Sequence, residues 1–234
     1  MPPHRLPFLT SILLVVAGIS GCKIEVGTLK RFSADIHLWS TKFSSEEPRW
    51  QTLPEEGWPA MTCLGPEAEV SDCCDLPATR PQVDCQEVAS ECDADLNQCV
   101  LYFVYQEVAT VDLMKEVPSL EEHQEELPRQ VLLQSVTSST TCDFEWPLPS
   151  VNMYVAPGTV KSAADPQAVY LATIPPRDST VLLAESAQHA FSDIAVDYHT
   201  PFNLIFATTI TVTSGPRPQG RLAIDVSGRI EAAF

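Results

Sequence analysis

Positive charge is scarce in this chain: 14 Lys and Arg stand against 31 Asp and Glu, for a formal net charge of −17. Nucleic acid and anionic membrane surfaces are excluded as partners, because holding phosphates takes clustered Lys and Arg. Glycine is also sparse, nine residues against 20 prolines, a balance that favours turns and extended chain over long helices. Three catalytic signatures are missing: a G-x-S-x-G elbow, a phosphate-cradling glycine loop and H-E-x-x-H. No C-x-x-C occurs, and no His lies between Cys63 and Cys99, which argues against a zinc site or a thioredoxin-like redox pair. The chain is therefore read as non-catalytic.

What is present begins at the N-terminus. Arg5 is the only Lys or Arg before an apolar stretch at residues 6–19, and small residues follow it, the layout of a signal peptide. The stretch is too short for a membrane-spanning helix, which needs about 20 residues. It ends in Ile19-Ser20-Gly21-Cys22, which resembles the lipobox of bacterial lipoproteins. The resemblance implies cleavage after residue 21 and a mature chain that starts at Cys22. It also implies a thioether diacylglycerol on that cysteine and usually an amide-linked third acyl chain. At about 0.8 kcal/mol per buried methylene, such an anchor holds almost permanently. Lys23 stands where, in such lipoproteins, an Asp retains the protein in the inner membrane, so the implied address is the outer membrane. The anchor accounts for the membrane as a partner; a protein or glycan partner is left open.

Seven further cysteines follow: Cys63, Cys73, Cys74, Cys85, Cys92, Cys99 and Cys142. Six of them fall within 37 residues, and such density in an exported chain reads as a disulfide framework. Seven is odd, and three bridges among seven thiols allow 105 arrangements, so spacing alone chooses none. Adjacent Cys73 and Cys74 are expected to take different partners, and Cys142 is the candidate for the thiol left over. Residues 46–127 carry 20 acids against Arg49, Arg80 and Lys115, so this window alone accounts for the net charge. Such a surface keeps a domain soluble, or attracts divalent cations or a basic partner. Asp93, Asp95 and Asn97, with Glu91, have the start of a calcium loop. Gln98 then replaces the turn glycine and Val104 the closing Glu, which leaves at most an irregular calcium site.

Four segments are expected: the signal peptide at 1–21, a membrane-proximal tether at 22–31, an N-terminal strand with the Cys-rich acidic segment at 32–99, and a β domain at 100–234. Phe32, Ala34, Ile36 and Leu38 alternate with polar residues, including His37, as in a strand with one buried face. From 40 to 99 periodicity vanishes among prolines and cysteines, with Trp50, Trp58 and Met61 available to plug this segment onto the body. Residues 100–105, apolar on both faces, with Val108, Val111 and Leu113, read as a central strand. Ser119 and Glu122 have capping-box spacing in a short acidic helix that Pro128 must end.

Strands are further predicted at 131–141, at Val151, Met153 and Val155, at 168–174 and at 180–183, with turn signals between them. Ala187, Ala190, Phe191, Ile194, Ala195 and Tyr198 share helical spacing. Phe202, Leu204, Phe206, Thr208, Ile210 and Val212 mark one face of a strand, and Leu222, Ile224, Val226, Ile230, Ala232 and Phe234 repeat it after a turn. The two are expected to pair as a hairpin with one wet face. The sum is a mainly β protein: an antiparallel β-sandwich with one or two short helices and a disulfide-stapled irregular segment.

Val151-Asn152-Met153-Tyr154-Val155-Ala156-Pro157, followed by Leu171-Ala172-Thr173-Ile174-Pro175-Pro176, resembles the sandwich domains of the late-embryogenesis-abundant, water-stress type. This covers under a third of the mature chain and implies the fold but no activity. His189 and Asp193, spaced i and i+4, with His199 nearby and Ser186, make a hydrolase triad only on paper, since the polar side of an amphipathic helix gives the same spacing.

Overall fold

A computed structural model describes residues 31–44, 46, 89–93, 95, 97–123, 127–143, 148–212 and 219–234. The described chain is mainly β, in two antiparallel sheets. In chain order the strands are β1 (Arg31–Ser44), β2 (Ala89–Asp93), β3 (Gln98–Val111), β4 (Gln130–Cys142), β5 (Val151–Pro157), β6 (Val169–Ile174), β7 (Ser179–Leu182), β8 (Phe202–Val212) and β9 (Arg221–Ala233). The helices are α1 (Leu113–Glu116), a 3-10 turn at Pro118–His123, and α2 (Glu185–Ala195). One sheet has the order β1-β9-β4-β7 and the other β2-β3-β8-β5-β6. Both contribute to one apolar core, in a sandwich-like packing. Trp39 of β1 stacks on Phe206 of β8 across the gap, ring centroids 4.4 Å apart.

The expected hairpin of the last two strands does not form. β8 lies between β3 and β5 in one sheet, while β9 lies between β1 and β4 in the other. Each thereby gains strand partners on both edges, which a hairpin partner would have displaced. The expected wet face of β8 is also absent over its first half: Phe202, Asn203, Leu204, Ile205 and Phe206 are all buried. Leu204 and Phe206 face the main core. Ile205 packs instead with Ala156 and Val160 in a second, small cluster on the outer side.

Residues 158–168 make that outer cover, and polar side chains hold them there. Asn203, 1% exposed, donates from Nδ2 to the carbonyls of Gly158 (3.0 Å) and Val160 (2.7 Å), and its Oδ1 accepts from Thr110. Gln106 donates to Lys161 O and accepts from Ala163 N. A buried amide left unsatisfied costs about 1–3 kcal/mol, so Asn203 suits this position because all of its groups find partners.

The four-stranded sheet is arranged around Gly228. Beside β9, β1 slips register between His37 and Trp39, and β4 slips between Leu133 and Ser135. A bulge of one residue shifts the parity of the strand beyond it. Leu38 and Trp39 are therefore both buried, and Thr41 after them. On β4, Val131 and Leu133 point inward before the slip and Val136 and Ser138 after it. Leu133 and Leu38 converge over Gly228, where a Cβ would come within 2.7 and 2.8 Å of their methyl carbons. Absence of a side chain there lets the two leucines fill the centre.

The helix predicted near 187–198 is α2. It buries Ala187, Phe191, Ser192 and Ala195, and Ser192 Oγ accepts the buried Val131 N–H at 3.1 Å. Phe191 meets Phe202 edge-on, and Tyr198 meets Phe234, which closes this end of the body. Leu113, read as strand, instead opens α1 behind an Asp112 cap. The acidic helix is the 3-10 turn. Val104, 72% exposed, shows that β3 lacks the second covered face expected of it. The boundary expected between 99 and 100 falls inside β3, and β1 is an integral strand of the four-stranded sheet.

Candidate functional site

At the end of the body away from α2, the two sheets part over a narrow apolar cleft of about 40 Å³, whose lining includes Trp39, Tyr105, Val151, Ile210, Leu222 and Ile224. A polar knot closes its inner side. Trp39 Nε1 donates to Glu107 Oε2 at 2.7 Å, Thr41 Oγ1 donates to Glu107 Oε1 at 3.1 Å, and the Tyr105 hydroxyl donates to the same Oε1. Thr41 and Tyr105 hydroxyls also lie 3.2 Å apart. Trp39 and Thr41 come from β1 and the other two from β3, so the knot ties one sheet to the other. The bulge in β1 is what turns Trp39 and Thr41 inward.

Both oxygens of the half-buried Glu107 carboxylate are engaged by donors from its own chain. The arrangement is suited to holding two sheets at a set distance, since donors from β1 and β3 converge on one carboxylate, and hydrogen bonds to an ionised acceptor are the strong ones. Beyond the cleft, Lys42, Ser44, Thr141, Cys142, Asp143 and Arg221 line an open hollow of about 500 Å³. Asp143 exchanges backbone and side-chain hydrogen bonds with Arg221 there. Gly220, at φ 119°, takes a backbone conformation that favours glycine, close against Asp143 O.

Cys22 with its signal and tether, Cys63, Cys73, Cys74 and Cys85, and the plug residues Trp50, Trp58 and Met61 lie outside the described residues. Cys92 and Cys99 occupy opposed positions in the β2–β3 ladder. Cys142 ends β4, exposed. The calcium candidates sit in the β2–β3 turn and in the strand before it. Asp93 Oδ1 accepts from Asp95 N at 2.9 Å, and Asn97 adopts φ 49°. Glu91 accepts from the Tyr102 hydroxyl, and that hydrogen bond, ahead of desolvation, pushes the Tyr102 phenol above its ordinary pKa. Among the described residues no group of three or more His, Cys, Asp or Glu is placed to hold a metal ion.

The paper triad is not assembled. His189 lies 3.7 Å from Glu185 on the exposed side of α2, and His199 stacks on Tyr198. His37 is exposed on β1, as expected of the polar side of that strand. Sequence reasoning missed Trp39, Glu107, Asn203 and Gly228. A carboxylate in an otherwise apolar strand was the one visible signal for Glu107; the parity change that aims Trp39 at it leaves no mark in the pattern.

Among the described residues no helix is long and apolar enough to cross a membrane. No family model matches the chain, and no curated protein matches it. Among solved structures the chain is similar to one described as Desmodium yellow mottle tymovirus, at 13% identity and a TM-score of 0.23, over 57% of this chain and 86% of that one.

Proposed function

We propose that the protein is a lipid-anchored lipoprotein of the bacterial cell envelope, tethered through Cys22 at the outer membrane, whose antiparallel β-sandwich is a non-catalytic binding or structural module. The observation that carries this reading is the run Ile19-Ser20-Gly21-Cys22 at the end of the apolar N-terminal stretch; where β1 begins sets which end of the body such an anchor would hold. Arg31 pairs with Ala233, at the end of the body closed by α2 and Phe234. Eight residues separate Cys22 from Arg31, and at about 3.3–3.6 Å each they reach less than about 30 Å. An anchor at Cys22 keeps the closed end next to the bilayer and turns the opposite end outward.

That outward end carries the apolar cleft, the hollow, and the points where residues 45–88, 144–147 and 213–218 leave the described strands. A protein or glycan partner meets the module there, away from the lipid. The acidic charge of residues 46–127 repels anionic headgroups and selects against nucleic acid. Mass spectrometry of the N-terminal peptide from envelope fractions tests the anchor. An acylated Cys22 is expected, and Cys22→Ala is expected to accumulate without lipid and to leave the membrane fraction. Wild-type protein recovered with Met1 intact and Cys22 unmodified would overturn the reading.

A further inference from the structure

The ladder between β2 and β3 sets Cys92 directly opposite Cys99, with Glu91 opposite Val100 and Asp93 opposite Gln98 on either side. Opposed residues of an antiparallel pair hold their Cα atoms about 5.5 Å apart where they exchange hydrogen bonds and about 4.5 Å where they do not. Both separations fall within the roughly 4.4–6.8 Å that a disulfide spans. The turn beyond them is organised by its own residues, through the Asp93 to Asp95 hydrogen bond and the left-handed Asn97. Asn tolerates that conformation better than most residues.

We propose that Cys92 and Cys99 form a cross-strand disulfide that closes the β2–β3 hairpin. Its formation in the cell rests on the extracytoplasmic reading above, which supplies an oxidising compartment; the pairing itself rests on the register. The bond forms by thiol–disulfide exchange with a donor disulfide, either glutathione disulfide or that of a thiol oxidoreductase. One cysteine thiolate attacks a donor sulfur, makes a mixed disulfide and releases one donor thiolate. The second cysteine thiolate then attacks the first cysteine's sulfur, forms the Cys92–Cys99 bond and expels the other donor thiolate. The chain gives up two protons and two electrons, and the donor is reduced to two thiols.

Two consequences follow. β2 is a five-residue strand at the edge of its sheet. A bridge to β3 holds this short edge strand against fraying. With this pair removed, the five other cysteines beyond Cys22 admit 15 arrangements of two bridges in place of 105 of three. Asp93, Asp95 and Asn97 are then read as the turn of a stapled hairpin.

The test uses the full chain, alkylated without reductant and cleaved before aspartate and after glutamate: the cuts before Asp93 and Asp95 part Cys92 from Cys99, and the cut after Glu87 parts Cys92 from Cys85. The Cys92 and Cys99 fragments are expected as one linked mass that separates on reduction. The same result is expected from chain purified reduced and re-oxidised in glutathione disulfide. Counting alkylated thiols adds a second readout: Cys92→Ser and Cys99→Ser each raise the count by one over wild type, and the double variant returns it to the wild-type number.

Linkage of either cysteine to another position in the re-oxidised chain, both thiols alkylated there, or a double variant two thiols above wild type would overturn the pairing. A pair that forms in glutathione disulfide but is reduced in chain taken from envelopes would leave the pairing standing and overturn the compartment.

Discussion

The two sheets bury their residues by different means. In the four-stranded sheet the central strand β9 alternates buried and more exposed positions along nearly its whole length. The flanking strands each slip by one residue to bring Leu38 and Leu133 over Gly228. In the five-stranded sheet β8 is buried on both sides through Phe206, because residues 158–168 lie across the outer surface. An uncovered sheet thus writes its orientation into the sequence as a period of two, whereas a covered one erases it. Two strands with similar patterns can therefore belong to different sheets.

If the two sides of β8 are both structural, truncation on either side should be costly. Phe206→Ala removes the ring stacked on Trp39 and is expected to cost about 3–5 kcal/mol in urea unfolding, with Ile205→Ala on the outer side costing about 2–4. An Ile205→Ala value below about 0.5 kcal/mol, the range of surface substitutions, would reduce the outer cluster to decoration. Asn203→Ala strips the hydrogen bonds from two carbonyls and is expected to cost about 3 kcal/mol. Hydrogen exchange should accelerate in residues 158–168 far more than in β9; equal acceleration in both would sink the assignment of Asn203 to the loop.

The four-stranded side is probed by Gly228→Ala, whose extra methyl must displace Leu38 and Leu133 at an expected cost of about 1–3 kcal/mol. A stabilised variant would mean that the leucines have room to spare. Glu107→Gln sets an amide N–H against either the Trp39 indole or the two hydroxyls, and a loss of about 1–2 kcal/mol is expected. Trp39 fluorescence in the folded state should change with it, since the indole loses its carboxylate partner or gains a new one. His189→Ala, on the exposed side of α2, should stay within about 0.5 kcal/mol of wild type, as exposed ion pairs contribute little.

Much of the strand content was legible. The segments near 131–141, 151–157, 168–174 and 180–183 are strands within a residue or two, because Pro and Gly turn signals bracket them and branched or aromatic residues fill them. Helix α2 was legible from Ala187, Phe191 and Ala195 at helical spacing. The 14 residues of β1 were legible only as far as Leu38, since the bulge there reverses which side chains face inward. Of the polar knot almost nothing could be read: Trp39 and Glu107 lie 68 positions apart, and no local pattern links them. The described residues begin at Arg31, and the tether is read from Ile19-Ser20-Gly21-Cys22.

By itself the sequence determined that the chain is mainly β, where its turns fall, which helix is amphipathic and that its charge is strongly negative. These properties depend on a residue and its near neighbours, through dihedral preference, alternation and simple counting. Only the tertiary structure decided that β8 and β9 belong to opposite sheets, that Gly228 sits beneath two leucines, that Asn203 holds down a loop and that Cys92 stands across from Cys99. Those outcomes depend on which edges meet and which faces are covered, and strand pairing is a competition among distant segments that short-range patterning does not encode.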